Sequence, residues 1–235
     1  LSPRLGVLSH AFLWRMANAM YHVFIGTYTS AVGPFVGDLK GGSKGIYAFT
    51  FDPATGVLTP KGLAAEITNP SWVCVNPAGD VLYAVSERYP ENGVVAAFSI
   101  NRASGLLTPL PAAIGPGKEG EGDAEVDAGG CETCHCQVDP SGSFLGCANY
   151  GPGSVSCFSI SPSGALSQRT ALVEHEGPPG PNLERQAGAH SHQVVFRQGG
   201  FVLVPDLGLD CVAVYRLDPS TGTLHPPPPP ADSDS

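Results

Sequence analysis

The stretch FTFDPATGVLTP, residues 49–60, is one of four versions of a single phrase in this chain. The other three are FSINRASGLLTP from Phe98, FSISPSGALS from Phe158 and YRLDPSTGTLHP from Tyr215. In each copy an aromatic residue and a second apolar residue two positions later share one face of a strand, and a Gly after the turn supplies the positive φ of a short hairpin loop. A Leu two residues later restarts the buried face. Four related hairpins predict a repeat architecture.

A second phrase alternates with the first. It begins at Ser71 (SWVCVNPAGDVLYAV), Cys134 (CHCQVDPSGSFLGCA) and Ser191 (SHQVVFRQGGFVLVP), and each copy again predicts strand, turn and strand. Two hairpins per unit give four strands per unit, and repeated four-stranded antiparallel sheets are the blades of a β-propeller. A helical solenoid is excluded, because no window sustains an apolar period of 3.6 residues. The predicted fold class is therefore all-β, as a β-propeller.

The number of strands predicts an incomplete ring. The units at 68–109, 131–167 and 190–226 contain both phrases, but the first unit opens at VFIGTYTS, residues 23–30, which matches the second strand of a blade. We therefore expect its first strand to be missing and the chain to form about three and a half blades of a larger ring. The predicted boundaries are a leader or a mis-annotated N-terminal extension at 1–20, a partial propeller at 21–225 and a Pro-rich, solvated tail at 226–235.

Composition fits a turn-rich β protein and disfavours two classes of partner. The 235 residues include 30 Gly and 23 Pro, and 42% are apolar. The formal charge of −9, with 12 Lys and Arg, argues against nucleic acid or an anionic membrane as the main partner, and no segment has the length of a membrane span. We interpret a Gly-rich insertion as a solvated loop that contains the acidic residues Glu119, Glu121, Asp123, Glu125, Asp127 and Glu132.

Cysteine usage and the leader bear on the compartment. Seven cysteines, an odd number scattered through predicted strands, fit a reducing compartment better than a disulfide framework, so we expect a cytoplasmic protein. The leader contains Arg4 and Arg15 and no acidic residue, which leaves a plastid or mitochondrial transit peptide as an alternative. Ser9 and His10 interrupt its apolar stretch and disfavour a secretory signal.

Several phrases, in order along the chain, resemble the lactonase family of seven-bladed β-propellers. They are YHVFIGTYTS from Tyr21, GIYAFTFDPATGVLT from Gly45, NPSWVCVNPAGDVLYAVSE from Asn69, CANYGPGSVSCFSI from Cys147, GPNLERQAGAHSHQVVF from Gly180 and FVLVPDLGLDCVAVYRLDPSTGTL from Phe201. The resemblance implies a seven-bladed ring, of which this chain holds the N-terminal half. It also implies hydrolysis of a sugar-acid lactone without a cofactor, and 6-phospho-D-glucono-1,5-lactone of the pentose phosphate pathway is the expected substrate.

The segment NLERQAGAHSH, residues 182–192, matches the most distinctive motif of that family. It concentrates the residue types that lactone opening needs. His192 is the expected general acid/base, and His190 would point the same way if the strand is already extended there. Arg185 is the expected anion clamp, because its planar guanidinium suits a carboxylate or phosphate, and Glu184 would orient Arg185 or a histidine.

Four further residues are expected to bind the substrate. Alignment of the repeats places His135 level with Trp72 and His192 at the mouth of the channel. The same alignment places three polar residues at equivalent positions after the second strands: Glu87, Asn149 and Asp206. Each of these residues has a structural alternative, either a half-buried His with satisfied hydrogen bonds or a polar residue that caps a turn.

The cluster CETCHC, residues 131–136, matches the pattern of covalent haem attachment and resembles a zinc site. We expect neither, because the repeat alignment places Cys134 and its neighbours on an innermost strand. Alternation along that strand sends Cys134 and Cys136 to one face and His135 to the other, so the three cannot bind one ion. The sequence predicts no metal site, and the strand cysteines are expected to pack as small apolar residues.

Three functional hypotheses remain open at this point. The first is a lactonase acting on a sugar lactone. The second is a catalytically silent propeller that binds a metabolite or protein at the channel mouth, and the third is a carboxy-muconate lactonising enzyme with the same residues and another substrate. The open ends of the ring also predict self-association through unpaired strand edges and apolar faces.

Overall fold

The computed structural model of the chain describes residues 14–15, 20–32, 42–113 and 122–227. Within these ranges the chain forms 17 strands and one short 3₁₀ helix, Gln198–Gly200. The strands belong to four antiparallel sheets that succeed one another along the sequence. The predicted fold class, an all-β partial propeller with four-stranded antiparallel blades, is confirmed.

Each sheet is one blade, and neighbouring strands are consecutive in sequence except for β9, which pairs with β7. Blade 1 contains β1 to β4, at Trp14–Arg15, Tyr21–Ile25, Gly45–Phe51 and Leu58–Glu66. Blade 2 contains β5 to β9, at Val73–Val75, Val81–Ser86, Val94–Ile100, Leu107–Leu110 and Glu125–Asp127. Blade 3 contains β10 to β13, at Thr133–Val138, Phe144–Asn149, Ser154–Ile160 and Leu166–Glu174. Blade 4 contains β14 to β17, at Val195–Phe196, Phe201–Asp206, Cys211–Leu217 and Leu224–His225.

The fourfold phrase forms the hairpin between the third and fourth strands of every blade. Its glycines have φ between 74° and 85°, in the left-handed region, as predicted: Gly56, Gly105, Gly164 and Gly222. Its aromatic residue pairs with a residue of the second strand, in the pairs Phe49–Val23, Phe98–Leu82, Phe158–Leu145 and Tyr215–Val202. This shared register determines which residues are equivalent from blade to blade.

The blades stack face to face, and the core lies between them. On β6, Leu82 and Ala84 pack towards blade 1, whereas Tyr83 and Val85 pack towards blade 3. A third cluster joins blades 3 and 4 through Val155, Val194, Phe196, Val202, Val204 and Leu224. Because both faces of a middle blade are covered, every residue of β6 and β11 is buried.

Blade 4 is covered on one face only. Residues alternate between exposed or half-buried and buried along β15, and none of β16 is fully buried. Cross-strand pairing places the residues of the open face together: Phe201, Leu203, Pro205, Val212, Val214 and Arg216. Among the described residues, no blade neighbours this apolar sheet surface.

Blade 1 differs from the sequence-based expectation. Trp14 and Arg15 pair with His22 and Tyr21, so a two-residue strand occupies the innermost position that was expected to be missing. Two residues of the predicted leader therefore belong to the first sheet. The rest of that leader, except Met20, and residues 228–235 of the predicted tail lie outside the described residues.

The acidic insertion is also partly ordered as a strand. Glu125–Asp127 pairs with the first half of β7, while β8 pairs with its second half, so two segments share the outer edge of blade 2. The intervening loop is closed at its base, since Ala112 N–H donates to Asp123 O and Gly122 N–H donates to Ala112 O, both at 2.9 Å. The solvated-loop prediction is therefore wrong for 125–127, and Glu119 and Glu121 lie outside the described residues.

Tyr83 joins two blades by a buried hydrogen bond from its hydroxyl to the Gly164 carbonyl at 2.8 Å. The substitution Tyr83→Phe leaves that carbonyl without its partner and should lower the free energy of unfolding by about 1 kcal/mol in urea titrations. Tyr47→Phe is the matched control, because the Tyr47 hydroxyl accepts only an exposed 3.3 Å bond from Lys44 N–H. Equal losses in the two variants would contradict a stabilising inter-blade bond.

The open face of blade 4 should drive self-association of the 235-residue chain. Val212 is 54% exposed on that face, so Val212→Lys should shift sedimentation profiles towards the monomer. Val57, also 54% exposed, lies in the β3–β4 turn and provides the control Val57→Lys. A parent chain that sediments as a single monomeric species would contradict this expectation.

Candidate functional site

A polar cavity of about 320 Å³ lies at one mouth of the channel. Its walls are formed by the segments that follow the second strand of a blade and by the segments that lead into the innermost strand. Its lining residues are Tyr28, Val32, Ser71, Trp72, Glu87, Glu132, Cys134, Tyr150, Arg185 and His192. All four blades that the structure describes therefore contribute residues to this cavity.

The strand register places Trp72, His135 and His192 level with one another, although only Trp72 and His192 line the cavity. Val85 N–H donates to Trp72 O, His135 pairs with Ala148, and His192 N–H donates to Pro205 O. The second-strand residues of these pairs, Val85, Ala148 and Pro205, are equivalent positions in their blades. A register shift between Thr133 and His135 then alters which side chain reaches the cavity. Cys134 lines the cavity, whereas His135 is buried beside it.

The His135 ring is held between blades. Its centroid lies 4.1 Å from the Trp72 ring, and Nδ1 accepts a 3.3 Å hydrogen bond from Val194 N–H. Cys134, which takes the cavity position, has its Sγ 3.7 Å from His192 O. Burial, followed by the charge of Glu87, raises the pKa of the Cys134 thiol, so it remains protonated and is a poor nucleophile at neutral pH.

Tyr150 brings the predicted cationic and imidazole groups together. Its hydroxyl accepts a 3.1 Å hydrogen bond from Nη2 of Arg185, and its carbonyl lies 2.9 Å from Nδ1 of His190. The His190 ring stacks on the Tyr150 ring at 4.4 Å, and the His192 ring meets its edge at 5.6 Å. Arg185 and His192 are exposed, so both can contact a molecule in the cavity.

Two carboxyl groups face this set. Glu87 accepts a 2.8 Å hydrogen bond from the Tyr28 hydroxyl, and burial followed by that carboxylate raises the pKa of Tyr28. Glu132 is 6% exposed. Burial and then the charge of Glu87 raise the pKa of Glu132, against a smaller opposing effect of His190. Glu132 is therefore the cavity carboxyl that is best suited to hold a proton.

The remaining predicted site residues lie elsewhere. Glu184 is exposed and does not line the cavity. Asn149 is fully buried and hydrogen-bonded to Thr133 and Ser154, and Asp206 is buried beneath the segment that carries the two histidines. Neither contacts the cavity, so the structure does not bring them together with Arg185 as substrate-binding groups.

The predicted equivalence of Glu87 with Asn149 and Asp206 is wrong by one position. Counted from the paired residues Leu82, Leu145 and Val202, the equivalents of Asn149 and Asp206 are Ser86 in blade 2 and Thr27 in blade 1. Glu87 is instead level with Tyr150 and Tyr28. The strand alternation therefore places these three side chains in the cavity and their predecessors in the blade interior.

Sequence reasoning missed Tyr28, Glu132 and Tyr150 as cavity residues. Tyr28 and Tyr150 could have been found from the repeat alignment, had its register been correct by one residue. Glu132 offered no such signal, because it lies in a loop and has φ of 51°, outside any strand alternation.

The described cysteines are all free, and among the described residues no group of three His, Cys, Asp or Glu side chains could hold a metal ion. Cys136 packs against Cys74 with a Sγ–Sγ distance of 3.6 Å, between blades 2 and 3. The motif at 131–136 therefore does not converge on one point. Cys131 and Cys134 lie near the cavity, and Cys136 lies in the core.

A larger cavity of about 470 Å³ lies at the opposite, turn-bearing end of the blades. It is lined mainly by apolar residues and turns, and its one carboxylate, Asp139, is occupied by the amides of its own turn at Ser141, Ser143 and Phe144. This cavity lacks groups for acid–base chemistry, so the smaller polar cavity is the candidate site.

The raised pKa of Glu132 gives a testable dependence of stability on pH. The unfolded carboxyl titrates near 4.5, and the native carboxyl retains its proton at higher pH, so the parent loses stability as pH rises through the native pKa. Glu132→Gln cannot ionise, and its free energy of unfolding relative to the parent should therefore rise between pH 4.5 and 8. Urea titrations across this range test it, with the exposed Glu66→Gln as control. A difference that does not vary with pH would contradict it.

Three proteins illustrate what the chain is similar to. It is 34% identical to the 6-phosphogluconolactonase of Bacillus subtilis over 84% of this chain and 49% of that protein. A crystal structure of a Bacteroides fragilis protein superposes with a TM-score of 0.69 at 30% identity, covering 84% and 48% of the two chains. The Pseudomonas aeruginosa periplasmic gluconolactonase PpgL superposes with a TM-score of 0.70 at 26% identity, covering 89% and 56%.

The chain spans about half the length of the curated relatives it matches. In the part of the chain that the structure describes, no helix is long and apolar enough to cross a membrane. The family model described as "Lactonase, 7-bladed beta-propeller" matches residues 22–234. With the four blades and their shared register, this match shows that the chain belongs to the lactonase family of seven-bladed β-propellers.

Proposed function

We propose that this chain supplies part of the site of a lactonase that hydrolyses 6-phospho-D-glucono-1,5-lactone to 6-phosphogluconate. The observation that carries the proposal is the convergence of Arg185, His192 and Glu132 on one polar cavity at the channel mouth. An anion clamp, an imidazole and a carboxyl of raised pKa are the groups that lactone opening uses. The name of the Bacillus subtilis relative supports the same substrate.

Arg185 binds the phosphate of the substrate. Its guanidinium is exposed and is oriented by the Tyr150 hydroxyl at 3.1 Å, and its planar fork of N–H groups suits phosphate oxygens. The stacked pair of Tyr150 and His190 forms a rigid floor beneath it. This arrangement selects a phosphorylated sugar acid over a neutral lactone.

His192 and Glu132 divide the proton transfers. His192 takes a proton from a water molecule while the water oxygen attacks the lactone carbonyl carbon, and the carbonyl oxygen becomes an oxyanion. The bond from that carbon to the ring oxygen then breaks, and Glu132 donates the proton that the leaving oxygen needs. One water is consumed, one hydroxy acid is formed, and a proton returns from His192 to Glu132 through solvent.

A pathway and a compartment are part of the proposal. A lactone that carries a phosphate is formed by oxidation of a sugar phosphate, which supports a place in the pentose phosphate pathway, and we propose the cytoplasm as the compartment. The free state of all described cysteines is compatible with that compartment.

The substitution His192→Gln tests the proposed base. It should lower kcat/KM for 6-phosphogluconolactone by about 10²- to 10⁴-fold, measured by NMR as lactone loss above the spontaneous rate. His225→Gln is the matched control, since His225 is exposed on β17 and its ring is hydrogen-bonded to the Thr223 hydroxyl, outside the cavity. The measurement is made on the 235-residue chain and on a chain extended to the full ring.

Two outcomes would contradict the proposal. Equal rates for His192→Gln and the parent would remove His192 from catalysis. A parent that binds 6-phosphogluconate without accelerating lactone loss, in both lengths, would favour the binding-only propeller instead.

A further inference from the structure

The carboxylate of Asp206, at the end of β15, is hydrogen-bonded at both oxygens. Oδ1 accepts from the backbone N–H groups of His190 at 2.8 Å and Leu209 at 3.0 Å. Oδ2 lies 2.7 Å from Nδ1 of His175 and accepts from the Ser191 hydroxyl at 3.3 Å. Although burial opposes it, the bonds from His190, Leu209 and His175 lower the pKa of Asp206, so the carboxylate is charged at neutral pH.

This carboxylate lies beneath the segment that carries His192, which lines the cavity, and His190, which stacks on Tyr150. The neighbours of Asp206 also bond that segment, since Leu207 N–H donates to His190 O at 2.9 Å and His192 N–H donates to Pro205 O at 3.0 Å. The short segment 190–192 is thus held at three backbone groups by residues 205–207. Only the bond to His190 N–H is made by a side chain that a substitution can alter.

His175 comes from the neighbouring blade. It follows β13, its backbone N–H donates to Gly153 O at 2.9 Å, and its ring stacks on Tyr215 with a centroid distance of 5.9 Å. The side chains of His175 and Asp206 are 3% and 0% exposed. The pair therefore joins blade 3 to blade 4 directly below the cavity.

The second ring nitrogen of His175 defines the tautomer. Among the described residues, Nε2 of His175 is buried and has no hydrogen-bond partner. A proton there would place a buried donor where no acceptor lies among the described residues, so the hydrogen-bond geometry favours a proton on Nδ1. Asp206 accepts that proton's hydrogen bond and fixes the ring orientation.

The other blades show what is special about this position. The residues equivalent to Asp206 are Thr27, Ser86 and Asn149, which are uncharged. Asn149, for example, joins Thr133 to Ser154 within its own blade. Within the four described blades, the ionisable member of the set occurs in blade 4, which carries His190 and His192.

We infer that Asp206 and His175 are positioning residues that hold the 190–192 backbone so that the His192 ring faces the cavity and the His190 ring stacks on Tyr150. Neither residue lines the cavity, and both act through the segment above them. The effect of this positioning on catalysis rests on the proposed lactonase function. The placement of the rings is independent of that function and can be measured separately.

The first test uses the histidine signals in ¹H–¹⁵N NMR spectra of the 235-residue chain. In Asp206→Asn the amide oxygen can still accept from the backbone, but the NH₂ group faces the proton on His175 Nδ1. We expect His175 to change tautomer and the His190 and His192 ring signals to shift. His175→Gln, which retains a donor to Asp206, should leave those signals near their parent positions.

Rescue distinguishes positioning from general damage. In the double variant Asp206→Asn with His175→Gln, the Gln oxygen can accept from the Asn NH₂, and the His190 and His192 signals should return. Ser86→Ala is the control at the equivalent position of blade 2, where the hydroxyl accepts from Arg88 Nε at 3.1 Å. It removes a comparable bond and should leave the cavity histidine signals unchanged.

The kinetic arm uses lactone hydrolysis. Asp206→Asn should lower kcat by about 10- to 100-fold and change KM little, because misplaced catalytic groups slow the chemical step while Arg185 still binds phosphate. A folded Asp206→Asn variant with unshifted His190 and His192 signals would overturn the inference. If that variant does not fold, unshifted signals in His175→Leu would overturn it equally. A parent that is inactive in both lengths would defeat the lactonase proposal, and the NMR result would still decide this inference.

Discussion

Face-to-face burial between neighbouring sheets is the interaction on which the rest of this structure depends. Each blade is thin, so a strand such as β6 must alternate its side chains between two neighbours, with Leu82 towards blade 1 and Tyr83 towards blade 3. Burying one such side chain contributes about 1.5–3 kcal/mol, and no blade can obtain this alone. The cavity inherits its geometry from the same packing, because its walls are the chain segments that enter and leave these stacked strands.

The repeated hairpins could be predicted from the sequence because their cause is local. The glycines of the fourfold phrase need positive φ, and the aromatic residue before each turn must face the core, so Phe49, Phe98 and Phe158 identify the same strand in three blades. The same periodicity placed Trp72, His135 and His192 level with one another. Arg185 and His192, which both line the cavity, could be selected from the sequence because the segment that contains them resembles a motif of the lactonase family.

The parts that escaped prediction depend on single-residue shifts that periodicity cannot reveal. A bulge between Thr133 and His135 moves His135 into the interior and gives its cavity position to Cys134. An alignment error of one residue exchanged Glu87 for Ser86, and one residue is enough to move a side chain to the other face of a strand. Glu132 escaped because it lies in a loop with positive φ, and Trp14–Arg15 escaped because two residues are too few to show alternation.

The divided outer strand of blade 2 has a consequence for how this scaffold tolerates change. The loop between β8 and β9 is closed at its base by paired hydrogen bonds between Ala112 and the segment 122–123. The strand pairing of blade 2 therefore does not depend on the number of residues in the loop. Extra length in a closed loop costs free energy only logarithmically. The rim of blade 2 is therefore a natural entry point for inserted sequence, whether a fluorescent reporter, an affinity tag or a whole domain, at a place remote from the strand entrances that shape the cavity.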